Sequence, residues 1–398
     1  MQREIGLLTK PILTAMRIIK KILLWLVLIL AFVVVLAYLF DVDYLLKAVR
    51  TIYVKGHTTA YLEDYKEFDN RIIAKSNLAQ PWAIHKAYNQ VKATPELEEV
   101  HQALGTVAFL IIKNDSLWHE SYYDGFDKDS KSNSFSMAKS VVSASLGKAI
   151  KEGNIKSLDQ RVSDFFPQFA IGKAARMTVG DLSSMASGLN WDESYYSPFS
   201  ITTRAYFDDD LNKVILGLSV VEEPGKSYRY LSGNTQLLAM VIEKATGESL
   251  ANYVSDKFWK PMGAESEALW QTDHKAGIVK AFCCIASNAR DFGRFGKLYK
   301  QYGKWNGQQI LDSAFVAKSI TPRFSDSPEY GYGWWLSNYK GKKIGYMRGH
   351  LGQYVIVIPE DEMIIVRLGH QKGFQSTTSP HSNDFFVYID ETYKMIGK

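Results

Sequence analysis

Cysteine is nearly absent from this chain: there are two in 398 residues, Cys283 and Cys284, and they are neighbours. A disulfide framework is thereby excluded, as is a thiolate zinc site, which needs ligands spaced along the chain. A bond between adjacent cysteines demands a strained geometry, so two buried thiols are expected. Histidine is also scarce. The eight histidines include no His-x-His or His-x₃-His pair, and no carboxylate cluster suggests ligands, so neither metal nor cofactor is expected. The short acidic run Asp208-Asp209-Asp210 reads as a solvated turn. There is no long Lys/Arg block, which argues against a nucleic-acid partner. Internal repeats and low-complexity tracts are missing as well.

Two common enzyme signatures are likewise lacking. Gly225-Lys226-Ser227 ends like a phosphate loop, but the position that must be glycine five residues earlier is Val220. The nearest string to Gly-x-Ser-x-Gly, Ser184-Met185-Ala186-Ser187-Gly188, lacks its first glycine.

What the chain does have is an ordinary folding composition, 46% hydrophobic and 22% charged, with a net charge of +5. Ile22 to Phe40 is an uninterrupted apolar run, long enough to cross a bilayer as a helix, with Trp25 and Tyr38 near its ends. Arg3, Lys10, Arg17, Lys20 and Lys21 precede it, and Asp41 and Asp43 follow. The positive-inside rule then predicts a single-pass anchor in the cytoplasmic membrane, N-terminus inside and the rest outside. No small-x-small site follows the run, which argues against a cleaved signal. The expected organisation is a cytoplasmic tail (1–21), an anchor (22–40), a partly helical connector (41–100) and a folded domain (101–398).

Within that domain, strands are predicted at 105–116 and 117–123, helices dominate from Ser136 to about Tyr302, and strands return at 330–336, 343–347, 354–358 and 363–368. A final helix covers 384–396. Strands at both ends around a helical middle predict an α+β fold, with an antiparallel sheet assembled from distant segments.

Ser136-Met137-Ala138-Lys139 opens an amphipathic run. On a helix its serine and lysine share one face, one turn apart. A serine hydroxyl needs a base, and a lysine desolvated enough to be neutral can serve. The same spacing recurs at Ser145/Lys148, inside that helix, and at Ser337/Lys340, where a strand runs into a turn. Only Ser136 begins a helix, where free N–H groups favour developing negative charge. The alternative role for Ser136 is a plain helix cap. Downstream stand Tyr230-Leu231-Ser232, just before an apolar-periodic helix, and His350-Leu351-Gly352-Gln353, just before a strand.

Ser136-x-x-Lys139, Tyr230-x-Ser232 and His350-x-Gly352, in that order, resemble the motifs of the serine β-lactamase and penicillin-binding-protein superfamily. The look is that of its class C-like branch, with esterases and 6-aminohexanoate-dimer hydrolases. The resemblance runs from about Gly105 to near the C-terminus, with further matching stretches at 178–182, 187–191 and 289–296. It implies a sheet flanked by helices plus a helical subdomain, and a serine hydrolase acting on a small molecule or short peptide through an acyl-enzyme. It further implies Ser136 as nucleophile, Lys139 and Tyr230 as the proton-handling pair, and the amides of Ser136 and Gln353 as oxyanion donors. A lysine beside Tyr230 can also lower the phenol's pKa. Trp191, Tyr195 and Trp335 are candidate cleft aromatics. His350 stands where lactamases usually carry lysine, and Ser232 where they carry an asparagine that contacts the β-lactam acylamide. Both departures favour an ester or amide substrate. A D,D-peptidase or β-lactamase is the alternative enzyme, and an acylated but non-catalytic sensor is the alternative of another class.

Overall fold

Asp41, at φ +56, turns the chain immediately beyond the long apolar helix, α1 (Gln2–Leu39). The computed structural model describes residues 2–397, with side chains from Thr14 onward, so those of Arg3 and Lys10 lie outside it. Within α1, Thr14–Leu39 is the one stretch among the described residues long and apolar enough to cross a membrane. Its apolar side chains, Trp25, Leu30 and Phe32 among them, are exposed in this unit, as on a helix meant for an apolar surrounding. Short helical segments, Tyr44–Ala48 and Val49–Tyr53, follow it.

The chain divides into a unit ending at Thr58 and a second unit beginning at Thr59. This corrects the expected connector. Asn70–Ile73 pairs with Ala268–Gln271, and the strand β1 (Ala83–Ile84) pairs with Ser116 and Leu117. Most of 59–100 is therefore built into the folded body.

That body is organised on a seven-stranded sheet. Its other strands are β2 (Thr106–Lys113), β3 (Ser116–Tyr122), β4 (Trp335–Tyr339), β5 (Lys342–Arg348), β6 (Tyr354–Ile358) and β7 (Met363–Gly369). The spatial order is β4-β5-β6-β7-β2-β3-β1, antiparallel throughout except for the β1–β3 pair. The first strands of the domain thus lie beside the last, as an α+β reading requires. The strand expected at 330–336 begins only at Trp335 and runs on to Tyr339. The reason lies in α2 (Ala138–Lys151). Its Ser140 and Ser143 hydroxyls donate to the carbonyls of Gly333 (2.6 Å) and Tyr332 (2.7 Å), and there the chain turns, Gly333 at φ +77 and the Gly331 N–H donating to the Trp334 carbonyl at 3.0 Å.

Helices cover both sheet faces. The α3 helix (Ser232–Thr246) belongs to the helical region, with α2 beside it. On α4 (Ala289–Lys300), a Cβ added to Gly293 would meet Ile112 at 2.9 Å, and one added to Gly296 would meet Ile364 at 2.8 Å. Glycine there lets helix and sheet approach closely. On the opposite face, α5 (Asn383–Met395) packs Phe385, Tyr388 and Ile389 against Phe109, Ile111, Tyr354, Ile356 and Ile365. The alternation of Ile364 and Ile365 between the two faces is the period of two of a strand. A second, four-stranded sheet takes two of its strands from the helical middle, in the order Asn70–Ile73, Ala268–Gln271, Ile285–Ser287, Ser132–Asn133.

Candidate active site

Ser136 is placed by the second sheet. Asn133 pairs with Ala286, and the Ser134 N–H donates to the Ile285 carbonyl at 2.6 Å. The Asn133 side chain then accepts from the Phe135 N–H at 2.8 Å, closing an Asx-type turn. Phe135 takes φ +44, a left-handed conformation unusual for an aromatic residue. This turn delivers Ser136 into a 3-10 segment, Phe135–Met137, that runs into α2. No side chain caps α2, so the cap role for Ser136 is not realised. Its Oγ instead accepts a hydrogen bond from Lys139 Nζ at 2.9 Å. The other two matches behave as read: Ser145 donates to the Val141 carbonyl, and Lys340 pairs with Asp390.

Lys139 is buried, and its ammonium also donates to the Phe282 carbonyl at 2.7 Å. Burial pushes its pKa down to about 8, while the Glu193 carboxylate pulls the other way. The Phe282 carbonyl is itself well fixed. Gln236 on α3 accepts from the Ala281 N–H at 2.7 Å, and Trp270 Nε1 donates to the Cys283 carbonyl at 2.9 Å. Cys283 and Cys284, expected as two thiols, are joined by a disulfide. Cys284 takes φ +79, which breaks the side-to-side alternation that keeps neighbouring side chains apart in extended chain.

Tyr230 lies across from Lys139, whose Nζ is 5.1 Å from the phenol ring centroid. It lines the same cavity as Ser136, near enough for the serine to bear on its acidity. Burial first, and then Glu193, raise this phenol above its ordinary value, against the pull of Ser136 and Arg348. That corrects the expectation of a lowered phenol: desolvation outweighs the pull of Arg348, and Tyr230 is neutral at pH 7.

Ser232 begins α3 and grips a residue the sequence reading passed over. Glu193 accepts from the Ser232 N–H (2.6 Å), the Ser232 hydroxyl (2.5 Å) and the Tyr195 hydroxyl (2.5 Å). Ser232 is thus buried under Glu193 and outside the cavity lining. Trp191 is also off the cavity. It is 1% exposed, and its ring leaves no space for a Cβ at Gly233, which would lie 2.5 Å away. It is core packing, not a cleft aromatic.

The third motif closes the site from the β5–β6 turn. A Cβ on Gly349 would lie 2.4 Å from the Ser134 carbonyl, so the turn runs directly against the segment bearing Ser136. Gly352 takes φ +81, and a Cβ there would lie 2.6 Å from Arg367 Nη1, so only glycine fits. Gln353 is buried, and its side chain donates to the Gly369 carbonyl at 2.8 Å. The His350 ring sits 4.7 Å from that of Tyr195. Burial, then Lys372 and Arg348, lower its pKa to about 4, so it is neutral at pH 7.

Ser136, Tyr230, Trp335, Tyr195 and His350 line one cavity of about 230 Å³, joined by Glu193, Arg348, Lys372 and Gln375. Arg348 could have been found in the sequence. It is the last residue of β5, at the mouth of the turn that carries His350. Glu193 and Lys372 lie on irregular segments, where no periodicity points at them.

The arrangement suits nucleophilic acyl transfer, with a buried amine on a serine hydroxyl and a phenol beside both. Residues 87–381 match the model of the Beta-lactamase family. The 6-aminohexanoate-dimer hydrolase of Paenarthrobacter ureafaciens is 25% identical over 313 residues, covering 71% of this chain and 79% of that protein. A Bacillus anthracis structure assigned as a 6-aminohexanoate-dimer hydrolase superposes with a TM-score of 0.67 at 22% identity, covering 83% of this chain and 91% of that one. A family VIII carboxylesterase does so with a TM-score of 0.58 at 16% identity, covering 76% and 98%. With its expected α+β fold in place and these relatives beside it, the chain belongs to the β-lactamase family and is a serine hydrolase.

Proposed function

We propose that this protein is a membrane-anchored hydrolase that cleaves an ester or amide through an acyl-enzyme on Ser136. One observation carries the reading: Lys139 Nζ lies 2.9 Å from Ser136 Oγ in a buried setting that lowers the amine to about 8. In its neutral form Lys139 takes the hydroxyl proton as Ser136 Oγ attacks the carbonyl carbon. The backbone amides of Ser136 and Gln353 receive the developing oxyanion. Tyr230, neutral and beside Ser136 in the cavity, passes a proton to the leaving alcohol or amine and regains one from the Lys139 ammonium. The carbonyl-to-leaving-group bond breaks, and water then releases the acid from Ser136 by the reverse proton path.

The Lys and Arg residues before Ile22, and α1 itself, support an anchor with the hydrolase body on the outer side of the cytoplasmic membrane. The test is turnover by the purified full chain of p-nitrophenyl esters, a chromogenic cephalosporin and D-Ala-D-Ala peptides side by side. Ester or amide turnover with fluorophosphonate labelling of Ser136 supports the reading. Faster turnover of the cephalosporin or the peptide would replace it with the lactamase or peptidase alternative. Stable labelling without turnover of any substrate would leave an acylated sensor.

A further inference from the structure

The match to the Beta-lactamase family model begins at residue 87, yet the turn that delivers Ser136 is held from farther upstream. Asn133 makes that turn, its Oδ1 accepting from the Phe135 N–H at 2.8 Å. One short stretch grips both its main chain and its side chain. The Asn133 N–H donates to the Leu62 carbonyl at 2.7 Å, and Asn133 Nδ2 donates to Asp64 Oδ1 at 2.8 Å. We propose that Asp64 is a positioning residue for the nucleophile: it fixes the Asn133 amide, and through it the turn that aims the hydroxyl and N–H of Ser136. This rests on the hydrolase reading above and adds a residue to its machinery.

The chemistry of an amide gives the link its direction. The Phe135 N–H can only donate, so Asn133 must present its oxygen there. Its NH₂ group then faces the other way and needs an acceptor. Asp64 is that acceptor, and both residues are fully buried. A second contact of Asn133 Nδ2, to the Tyr206 hydroxyl oxygen, is long at 3.5 Å. Asp64 Oδ1 also accepts from Gln271 Nε2 at 2.8 Å, and Oδ2 from the Tyr206 hydroxyl at 2.5 Å. Oδ1 can accept whether or not the carboxyl is ionised.

What the link holds in place does not hold itself. Phe135 at φ +44 is in a region that persists only where the surroundings over-determine it. Rotation there turns the next peptide, which carries the Ser136 N–H. The Asp64 stretch is itself well footed. The Asp69 carbonyl accepts from the Thr272 N–H at 2.8 Å, and Asn70 pairs with Gln271 in the second sheet. Lys139 is aimed separately, by the Phe282 carbonyl.

The test follows fluorophosphonate labelling of the full chain in detergent. The end point counts competent sites, and the rate constant reads attack by Ser136. Asp64→Ala should slow labelling, and lower kcat/KM for p-nitrophenyl butyrate, by about 10²-fold, the penalty of a reacting group misplaced by about 1 Å. The rising pH limb near 8 should stay where it is, because Lys139 keeps its own anchor. Asp64→Asn keeps an oxygen toward Asn133 and should recover at least about tenfold of the loss. Tyr206→Phe removes a bond from the same carboxyl, leaves the Asp64–Asn133 bond, and should keep the parent rate. If Asp64 only supports the fold, Asp64→Ala will lower the end point and leave the rate constant of the remaining sites unchanged, which overturns the proposal.

Should Asp64→Ala give no folded protein, Asn133→Asp decides. It sets two carboxyls face to face, tolerable while they share a proton and repulsive once both ionise. Its labelling rate should therefore fall as pH rises, and adding Asp64→Asn should abolish that fall by restoring a donor opposite an acceptor. Gln271, whose Oε1 has no partner among the described residues, can turn its amide to match. No fall, or one that survives Asp64→Asn, overturns the proposal. A parent chain that is labelled and active, with Asp64→Ala equally fast, removes the proposal alone. A parent neither labelled nor active on any ester removes the hydrolase reading and the proposal with it.

Discussion

Lys139 Nζ donates to the Phe282 carbonyl at 2.7 Å while also reaching Ser136 Oγ at 2.9 Å. The carbonyl aims the amine, and the surrounding protein holds its pKa at about 8. At neutral pH most Lys139 is still charged and only a minor fraction can act as base.

The activity should therefore be controlled by this one group. Below the Lys139 pKa, kcat/KM should fall about tenfold per pH unit, and above about 8 it should level off. Glu193 raises the Lys139 pKa, so Glu193→Gln should move the rising limb to lower pH. A pH–rate profile with no limb near 8, or a limb moving upward in Glu193→Gln, would count against Lys139 as the base.

Removing the nucleophile should be far more damaging than removing its look-alikes. Ser136→Ala should lose at least about 10³-fold in kcat and all fluorophosphonate labelling. Ser145→Ala and Ser337→Ala should keep both. Ser145 merely donates to the Val141 carbonyl, and Ser337 sits on β4 opposite Ile344. Labelling that survives Ser136→Ala would sink the assignment.

The parts of the site that could be read in the sequence are those with a fixed local spacing. Ser136 and Lys139 are one helical turn apart, and β6 and β7 show themselves as β-branched runs. Three kinds of information were out of reach. The Phe282 carbonyl comes from a backbone atom 143 positions from Lys139, and backbone acceptors carry no residue signature. The strands Ala268–Gln271 and Ile285–Ser287 are short and lie between helices, so period and length could not identify them. Trp191 and Trp335 look alike as residues, yet one is core and the other lines the cavity, because tertiary packing alone decides burial. His350 was read correctly as neutral. The lysine missing at that position says nothing of Arg348 and Lys372, which line the same cavity and come from other parts of the chain.

Arg367 should be the most costly single position near the site. It is fully buried, and its guanidinium donates to the carbonyls of Leu351, Gly352, Gln371 and Leu104 and to Thr106 Oγ. Arg367→Met leaves these acceptors unpaired in a dry environment, at a cost of about 1–3 kcal/mol for each group not rescued by water. Urea unfolding should show a loss of at least about 3 kcal/mol. Arg367→Lys should recover only part, because an ammonium cannot reproduce the planar fork. A variant as stable as the parent would show that the turn and the Lys372 loop hold without it.

The orientation of α1 gives the remaining prediction. Arg17, Lys20 and Lys21 sit toward one end of the apolar stretch, and Asp41 and Asp43 lie past the other. A charged side chain at mid-bilayer costs about 2.5–3.5 kcal/mol on insertion scales, and the basic flank resists export. An alkaline phosphatase fused after Lys398 should therefore be active, and a fluorescent protein that folds only in the cytoplasm should stay dark there. Replacing Arg17, Lys20 and Lys21 by glutamine should raise the share of chains inserted the other way, without touching the hydrolase body. An inactive phosphatase fusion beside a bright cytoplasmic reporter would reverse the assignment and place Ser136 inside the cell.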